Sequence, residues 1–242
     1  MSSTLLKGCR HLSLELSPYC NLAKEHDWCP SILRDKSGKP TSDSRLVTII
    51  EDAVENLGFD GWVSFHYYNE PLLSIHRIEY LYANSLYKNF MLWTNGLLFD
   101  RKHLEKNDDI VKMFTWIYIS DYKGEPEFYS SLRKRYPGVK IQAEDLYTPF
   151  GQSRHDNRRT IYGNDAEVPR VVCTGVRYEL PIDWKGNVHL CCRDWNETYK
   201  IGNINDNLLS ELLVDTDYER LVNDLQKGAT NVPDVCRQCI VM

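Results

Sequence analysis

Five short runs of β-branched and aromatic residues, separated by amphipathic stretches, limit what this chain can fold into. The runs are "HLSLELS" (11–17), "WVSFHYY" (62–68), "FMLWTNG" (90–96), "FTWIYIS" (114–120) and "VKIQAED" (139–145). Each has the composition of a strand. Between them, "DSRLVTIIEDAVENLG" (43–58), "SIHRIEYLYANSLYK" (74–88) and "PEFYSSLRKRY" (126–136) space their apolar residues three to four apart, the period of a helix that buries one face. Gly58 stands just past the first helix, where a C-cap residue needs positive φ, and Asp43 or Ser44 can cap its start. Strand, helix, strand repeated from 11 to 145 implies parallel pairing through right-handed crossovers. Five strands are too few for a closed eight-fold barrel. The expected fold is therefore α/β, a partial (β/α) barrel of about five to six parallel strands or an open parallel sheet. Such sheets bind ligands beyond the carboxyl ends of their strands, where "SPYCN", "YNEP", "TNG" and "SDY" all fall.

From about residue 147 the pattern changes. "YTPFGQSRHDNRRTIYGNDAEVPR" is polar and aperiodic, a linker or a functional loop. Its Arg154, His155, Arg158 and Arg159 read as a solvated basic stretch, with phosphate binding as the functional alternative. "VRYELPIDWKGNVHLCC" (176–192) is two alternating runs around Lys-Gly-Asn, a hairpin signal, and "NLLSELLVDTDYERLVNDLQKG" (207–228) reads as the last helix. The chain is expected to divide into a barrel (1–150), a linker or substrate loop (151–172) and a small carboxyl-terminal module of β-hairpin plus helix (173–242).

The chain has a formal charge of -5. It shows no basic patch for nucleic acid or a membrane surface, so neither is an expected partner. With no signal-like start and no long apolar run, we expect a soluble, cytoplasmic protein. Eight cysteines in a reducing compartment are unlike a disulfide framework. They fall in two groups, Cys9, Cys20 and Cys29, then Cys173, Cys191, Cys192, Cys236 and Cys239. Two metal sites in two regions account for that distribution, with Cys9 read as a buried thiol. In the tail, Cys236-x2-Cys239, Cys173 and the Cys191-Cys192 pair can surround a tetrahedral zinc or a four-iron cubane, and spacing alone does not choose between them.

The whole tail, "CTGVRYELPIDWKGNVHLCCRDWNETYKIGNINDNLLSELL" followed by "VCRQC", resembles the auxiliary-cluster region, called twitch or SPASM, of radical S-adenosylmethionine (SAM) enzymes. The likeness is carried by Trp184-Lys185-Gly186-Asn187-Val188-His189-Leu190-Cys191 and by Gly202-Asn203-Ile204. It implies that Cys173, Cys191, Cys236 and Cys239 hold one auxiliary cluster. Cys192 is then a neighbour, or replaces Cys191 if the hairpin register differs by one.

The same family places C-x3-C-x-φ-C, φ aromatic, after its first strand. Three thiolates hold a four-iron cluster and leave one iron for the amine and carboxylate of SAM. "ELSPYCNLAKEHDWCP" (15–30) matches at both ends, with Cys20 first, Trp28 as the aromatic near the adenine and Cys29 last. Two residues are added, and His26 stands at the central thiol's place, giving C-x5-H-x2-C. Three readings are open: His26 ligates through a ring nitrogen, Cys9 folds back to supply the thiol, or the site no longer cleaves SAM. We take His26 as the candidate ligand.

"FHYYNEPLLS" (65–74) resembles the G-G-E-P-L element that receives the SAM amino group. Asn69, Glu70 and Pro71 are its candidate residues, with Tyr68 and Asn69 in place of the glycines. Thr94, Asn95 and Ser120 resemble the strand-end motifs around the ribose and the substrate face. The resemblance thus implies one or two 4Fe-4S clusters, SAM, an electron donor such as a flavodoxin or ferredoxin, and hydrogen abstraction from a small-molecule substrate. Oxidation or epimerisation of a sugar, aminocyclitol or nucleoside-like compound is the expected outcome. The alternative is a non-catalytic iron-sulfur or zinc protein with a degenerate radical site.

Overall fold

All five strand-like runs form strands: β1 His11–Leu14, β2 Trp62–Ser64, β3 Phe90–Thr94, β4 Trp116–Asp121 and β5 Lys140–Asp145. The computed structural model describes residues 4–24, 29–99, 108–122, 124, 126–145, 173, 175–194, 196–228 and 232–237. The predicted linker, 151–172, lies outside them. The helices are α1 Asp43–Leu57, α2 Ile75–Asn84, the short α3 Asp108–Lys112 and α4 Pro126–Arg135. Ser42, rather than Asp43 or Ser44, caps α1, its hydroxyl accepting from the Arg45 N–H, and Gly58 closes the helix at φ 70°. In the tail come β6 Glu179–Ile182, β7 Asn187–His189, β8 Lys200–Asn203, α5 Leu209–Asp215, α6 Tyr218–Lys227 and α7 Asp234–Arg237.

The strands form one eight-stranded sheet in the order β5-β4-β3-β2-β1-β6-β7-β8. Strands β1 to β6 are all parallel to their neighbours, which gives the six-stranded arc of a partial barrel. The hairpin β6–β7 is antiparallel, as Lys-Gly-Asn suggested, and β8 adds antiparallel to β7. β6 joins the free edge of β1, so that His11 faces Trp62 on one side and Glu179 on the other. The sheet therefore runs unbroken from barrel into tail.

The expected single helix over 207–228 is two. Thr216 turns its hydroxyl onto the Leu212 carbonyl (2.7 Å), and Asp217 takes a left-handed conformation at φ 51°. Polar side chains that compete for the backbone end α5 there.

Alternation along the strands sorts the two faces. Leu12, Leu14, Val63, Phe65, Phe90, Leu92, Ile117 and Ile119 are buried in the main core. That core also takes Leu46, Ile49, Ile50 and Ala53 of α1 and Ile78 and Leu81 of α2. The opposite parity carries His11 and Trp62 (ring centroids 5.7 Å apart), Trp62 and Trp116 (5.1 Å), His66 and Trp93 (4.6 Å), and Trp93 and Tyr118 (4.6 Å). Closed barrels fill their interior with branched aliphatics. This arc instead lines its concave side with aromatic rings and imidazoles.

Gly186 makes the hairpin possible. It has φ 87°, and a Cβ placed there would stand 2.6 Å from Asn205 Nδ2 and 2.7 Å from Thr41 Oγ1. Its N–H donates to Asp183 O (2.9 Å) and its carbonyl accepts from the Ile204 N–H (2.8 Å). Gly186→Ala is expected to lower stability by about 1–3 kcal/mol through strain and crowding together. Urea unfolding of variant against parent measures this, and equal midpoints would show that the turn relaxes freely.

Candidate active site

A cavity of about 420 Å³ opens beyond the carboxyl ends of the parallel strands. The loop after β1 brings Cys20 and Cys29 to it, the loop after β2 brings Asn69 and Glu70, β3 brings Thr94 and Asn95, and β4 brings Ser120. Four separate sequence motifs thus converge on one space. Pro71 is buried at the start of a 3-10 turn, Pro71–Ser74, and does not line the cavity. His26, Trp28 and Cys239 lie outside the described residues.

Glu70 ties the motifs together. Its buried carboxylate accepts from Thr94 Oγ1 (2.7 Å), the Asn95 N–H (2.9 Å) and the Leu72 N–H (3.0 Å). The Glu70 N–H donates to Tyr19 O (2.9 Å), and Asn95 Nδ2 donates to Asn21 Oδ1 (2.7 Å). Burial pushes the Glu70 carboxyl above its ordinary range, against the pull of the three donors. Cys20 is likewise pushed up to about 11, chiefly by burial, with Glu70 and Cys29 adding repulsion. Cys20 and Cys29 line the same cavity, and two soft sulfur donors in one space suit an iron centre.

Cys9 is not part of this space. It sits at the amino end of β1, whereas Cys20 follows the carboxyl end, and its thiol contacts the carbonyls of His11 (3.5 Å) and Tyr178 (4.0 Å). Burial raises its pKa to about 12. It is an inert packed thiol, and the fold leaves it unable to serve as third ligand.

A buried ion cluster fastens the cysteine loop to the tail. Arg34 NH1 and NH2 meet Glu15 Oε1 (2.5 Å) and Oε2 (2.9 Å), while Arg34 Nε and NH2 meet Glu197 Oε1 (3.2 and 3.1 Å). Glu15 also accepts from the N–H groups of Tyr68 (3.1 Å) and Trp184 (3.3 Å). Burial disfavours the Arg34 charge, but the Glu15 carboxylate outweighs it and holds the guanidinium's pKa above the usual arginine range. Tyr67 and Tyr68 lie beside the guanidinium, 5.1 and 5.3 Å from its carbon to their ring centroids. Their hydroxyls donate to Asp194 O (3.3 Å) and Cys192 O (2.7 Å). The tyrosines at and beside the first of the two expected glycine positions thus dock the tail. Asp183, His189 and Glu197 also approach one another closely enough to suggest a metal, but Asp183 already pairs with His189 (3.1 Å) and Glu197 with Arg34.

In the tail, Cys173, Cys191 and Cys236 are all half-buried. Burial raises the Cys173 thiol above its ordinary range, and the neighbouring Cys191 adds to the shift. Cys192 lines the main cavity and Cys191 does not. The Cys192 thiol donates to Cys191, which lowers the Cys191 pKa, and the Arg193 N–H adds a second donor at 3.2 Å.

Residues outside the predicted set also wall the cavity: His66, Trp93, Tyr122, Tyr178, Glu179 and Arg193. Alternation from Trp62 through Ser64 could have found His66. Glu179 had no local signal, because its place depends on β6 pairing with β1.

Residues 173–240 match the SPASM family, an iron-sulfur cluster-binding domain, which selects iron-sulfur over zinc for the tail. The arc that carries it has the partial-barrel fold of the radical SAM enzymes. BtrN in complex with AdoMet and 2-DOIA superposes with a TM-score of 0.67 at 19% identity, over 96% of this chain and 92% of that one. Tagged anSMEcpe with bound AdoMet gives 0.55 at 13% identity, over 95% and 92%. Among known proteins, the S-adenosyl-L-methionine-dependent 2-deoxy-scyllo-inosamine dehydrogenase of Niallia circulans is 21% identical over 234 residues, 94% of this chain and 91% of that protein. No helix among the described residues is long and apolar enough to cross a membrane.

Removing the Arg34 charge strands Glu15 in a dry site. Arg34→Leu is expected to cost about 3–5 kcal/mol, and Glu15→Gln combined with Arg34→Leu should recover much of it. Denaturant unfolding of the three proteins tests the pairing, and a single-variant loss below about 1 kcal/mol would show that the pair is dispensable.

Two concave-face histidines set a pH dependence. Burial lowers the His11 pKa to about 4, with His66 adding to the shift, and burial also lowers His66. Below the ordinary value of 6.5 the unfolded chain takes up protons that the folded chain refuses, so stability is present above that pH and falls as pH drops toward 4. The slope approaches about 1.4 kcal/mol per pH unit for each histidine. His11→Gln should flatten the stability profile between about pH 7 and 5, and an unchanged profile would exclude His11 as its source.

Proposed function

We propose that this chain is a radical SAM oxidoreductase acting on a small polar substrate. The observation that carries the reading is the convergence of Cys20, Cys29, Glu70, Thr94 and Asn95 on one cavity that also reaches Cys192 of the tail. Cys20 and Cys29, with His26 as third ligand, are assigned to the cluster that binds SAM. Cys173, Cys191, Cys236 and Cys239 are assigned to the auxiliary cluster. Cys191 is preferred over Cys192 because its neighbour lines the cavity and it does not.

With cluster and SAM bound, the cofactors supply reductive SAM cleavage and a 5'-deoxyadenosyl radical that abstracts hydrogen from a substrate carbon. The chain's own contribution is positional. Glu70, held by three donors, is fixed to receive the SAM amino group. Asn95, tethered through Asn21 to the cysteine loop, and Thr94 are assigned to the ribose side. Ser120 receives the Trp93 indole N–H (3.3 Å) and turns that ring toward the substrate space. Stacked aromatics behind it exclude water, which preserves a radical from quenching. A flavodoxin or ferredoxin is the proposed reductant, and alcohol oxidation or epimerisation the proposed outcome. The dehydrogenase from Niallia circulans favours oxidation of an aminocyclitol-like alcohol.

Anaerobic reconstitution followed by a 5'-deoxyadenosine assay with SAM and dithionite tests the reading. About eight irons per chain and nucleoside formation are expected, and His26→Ala should lose about half the iron and nearly all product. About four irons and no product from the parent protein would make the opening motif a remnant and the chain a non-catalytic iron-sulfur protein.

A further inference from the structure

A row of oxidisable rings leads out of the cavity along the concave face. Trp93 lines the cavity, and its register partner on β4, Tyr118, stands 4.6 Å away, ring centroid to ring centroid. Trp116 follows at 6.5 Å from Tyr118, and Trp62 at 5.1 Å from Trp116. Ring pairs at such separations are in contact or close to it. Strand alternation thus carries one π surface from the cavity wall to the half-buried Tyr118 and beyond.

The four rings differ in what can take their proton. Indole and phenol are among the side chains that lose an electron most readily, and each becomes strongly acidic when it does, so the radical settles where a base stands ready. Trp116 Nε1 has no partner among the described residues. The N–H groups of Trp62 and Trp93 donate to the hydroxyls of Thr115 (3.2 Å) and Ser120 (3.3 Å), which are poor bases. Tyr118 instead donates its O–H to the Glu144 carboxylate. Glu144 lies two residues along β5 from Gln142, the register partner of Tyr118, a diagonal that a long phenol spans. Burial raises the Tyr118 pKa and Glu144 adds to the rise, so the phenol keeps its proton until an electron leaves. Glu144 is exposed and can pass that proton to solvent.

We propose that Trp93 and Tyr118 form a relay that draws stray oxidising equivalents out of the cavity when no substrate fills it, with Tyr118 as its end and Glu144 as its proton acceptor. The proposal rests on the cavity generating a carbon radical, and it gives these rings a protective role beyond that chemistry. A primary carbon radical takes the hydrogen atom of the Trp93 N–H, making a C–H bond for a weaker N–H bond and leaving a neutral indolyl radical. That radical takes an electron from Tyr118 and a proton from solvent through the Ser120 hydroxyl, while Tyr118 gives its own proton to Glu144. A small thiol then returns a hydrogen atom to Tyr118 at the surface, and two of the resulting thiyl radicals couple to a disulfide. Such a drain spares the cavity wall from side reactions.

The test is substrate-free turnover of the reconstituted protein with SAM in heavy water, started by one equivalent of photoreduced deazaflavin without added thiol and frozen for electron paramagnetic resonance. A tyrosyl signal is expected, and it should narrow in protein made with ring-deuterated tyrosine. Tyr118→Phe should abolish it and leave an indolyl signal, with the 5'-deoxyadenosine yield unchanged, which also shows that the variant is folded and loaded. Glu144→Gln should lower the tyrosyl yield severalfold. Mass spectrometry should find severalfold more oxidation of the cavity residues Tyr122 and His66 in Tyr118→Phe than in the parent protein. The 5'-deoxyadenosine should carry deuterium from the exchanged Trp93 nitrogen, and Trp93→Phe should lose both that label and the tyrosyl signal. Nucleoside without a protein radical, or a tyrosyl signal that persists in Tyr118→Phe, overturns the relay alone. Deuterium that persists in Trp93→Phe also overturns it, by placing the hydrogen source elsewhere in the cavity, the Cys192 thiol first. No nucleoside from the parent protein sinks the radical reading and the relay with it.

Discussion

One guanidinium held between two carboxylates decides how the parts of this molecule meet. Arg34 follows the second cysteine of the amino-terminal loop, Glu15 follows β1, and Glu197 comes from the tail. Arg34 and Glu15 lie inside the protein and each depends on the other, while Glu197, a quarter exposed, closes the cluster from the tail. The cluster fixes the Cys29 loop relative to the hairpin of the tail, and Tyr67 and Tyr68 add two hydroxyl bonds to the same seam. A cofactor site assembled from loops gains its rigidity from such contacts, since loops alone do not hold geometry to within a fraction of an ångström.

The concave face follows from the same economy of parity. Strand alternation that sends leucine, isoleucine and phenylalanine toward the helices sends tryptophan, tyrosine and histidine inward. These rings fill space as bulk apolar groups do, yet they leave polar edges at the cavity. A reactive intermediate needs walls that exclude water and also hold a polar molecule, and aromatic residues with polar tips meet both requirements.

Much of the arc was legible because its signals are local. Helix periodicity, Gly58 after α1 and the Lys-Gly-Asn turn depend on neighbours within a few positions. The convergence of Cys20, Glu70, Asn95 and Ser120 followed from the rule that parallel strands present their carboxyl ends together. What sequence concealed was long-range. Glu179 enters the cavity only because β6 pairs with β1, and no pattern near residue 179 announces that partner. No local pattern marks Arg34, because its partners Glu15 and Glu197 come from distant parts of the chain. The break at Asp217 was missed because the apolar period continues across it while the backbone does not. Departures from a motif were informative in their own right: the tyrosines beside Asn69 dock the tail.

The position of β1 has a consequence for biosynthesis. It lies between β2, the next strand to be made, and β6, which is made only after β5. During synthesis its outer edge therefore stays open until β6 has emerged, long after β1 itself, a long-range closure of the kind that folds slowly and invites pairing with the wrong partner. The same delay keeps the loop carrying Cys20 and Cys29 accessible from the tail side, where Arg34 has not yet met Glu197. Late closure thus leaves an interval in which a bulky inorganic centre can be delivered before the tail seals it.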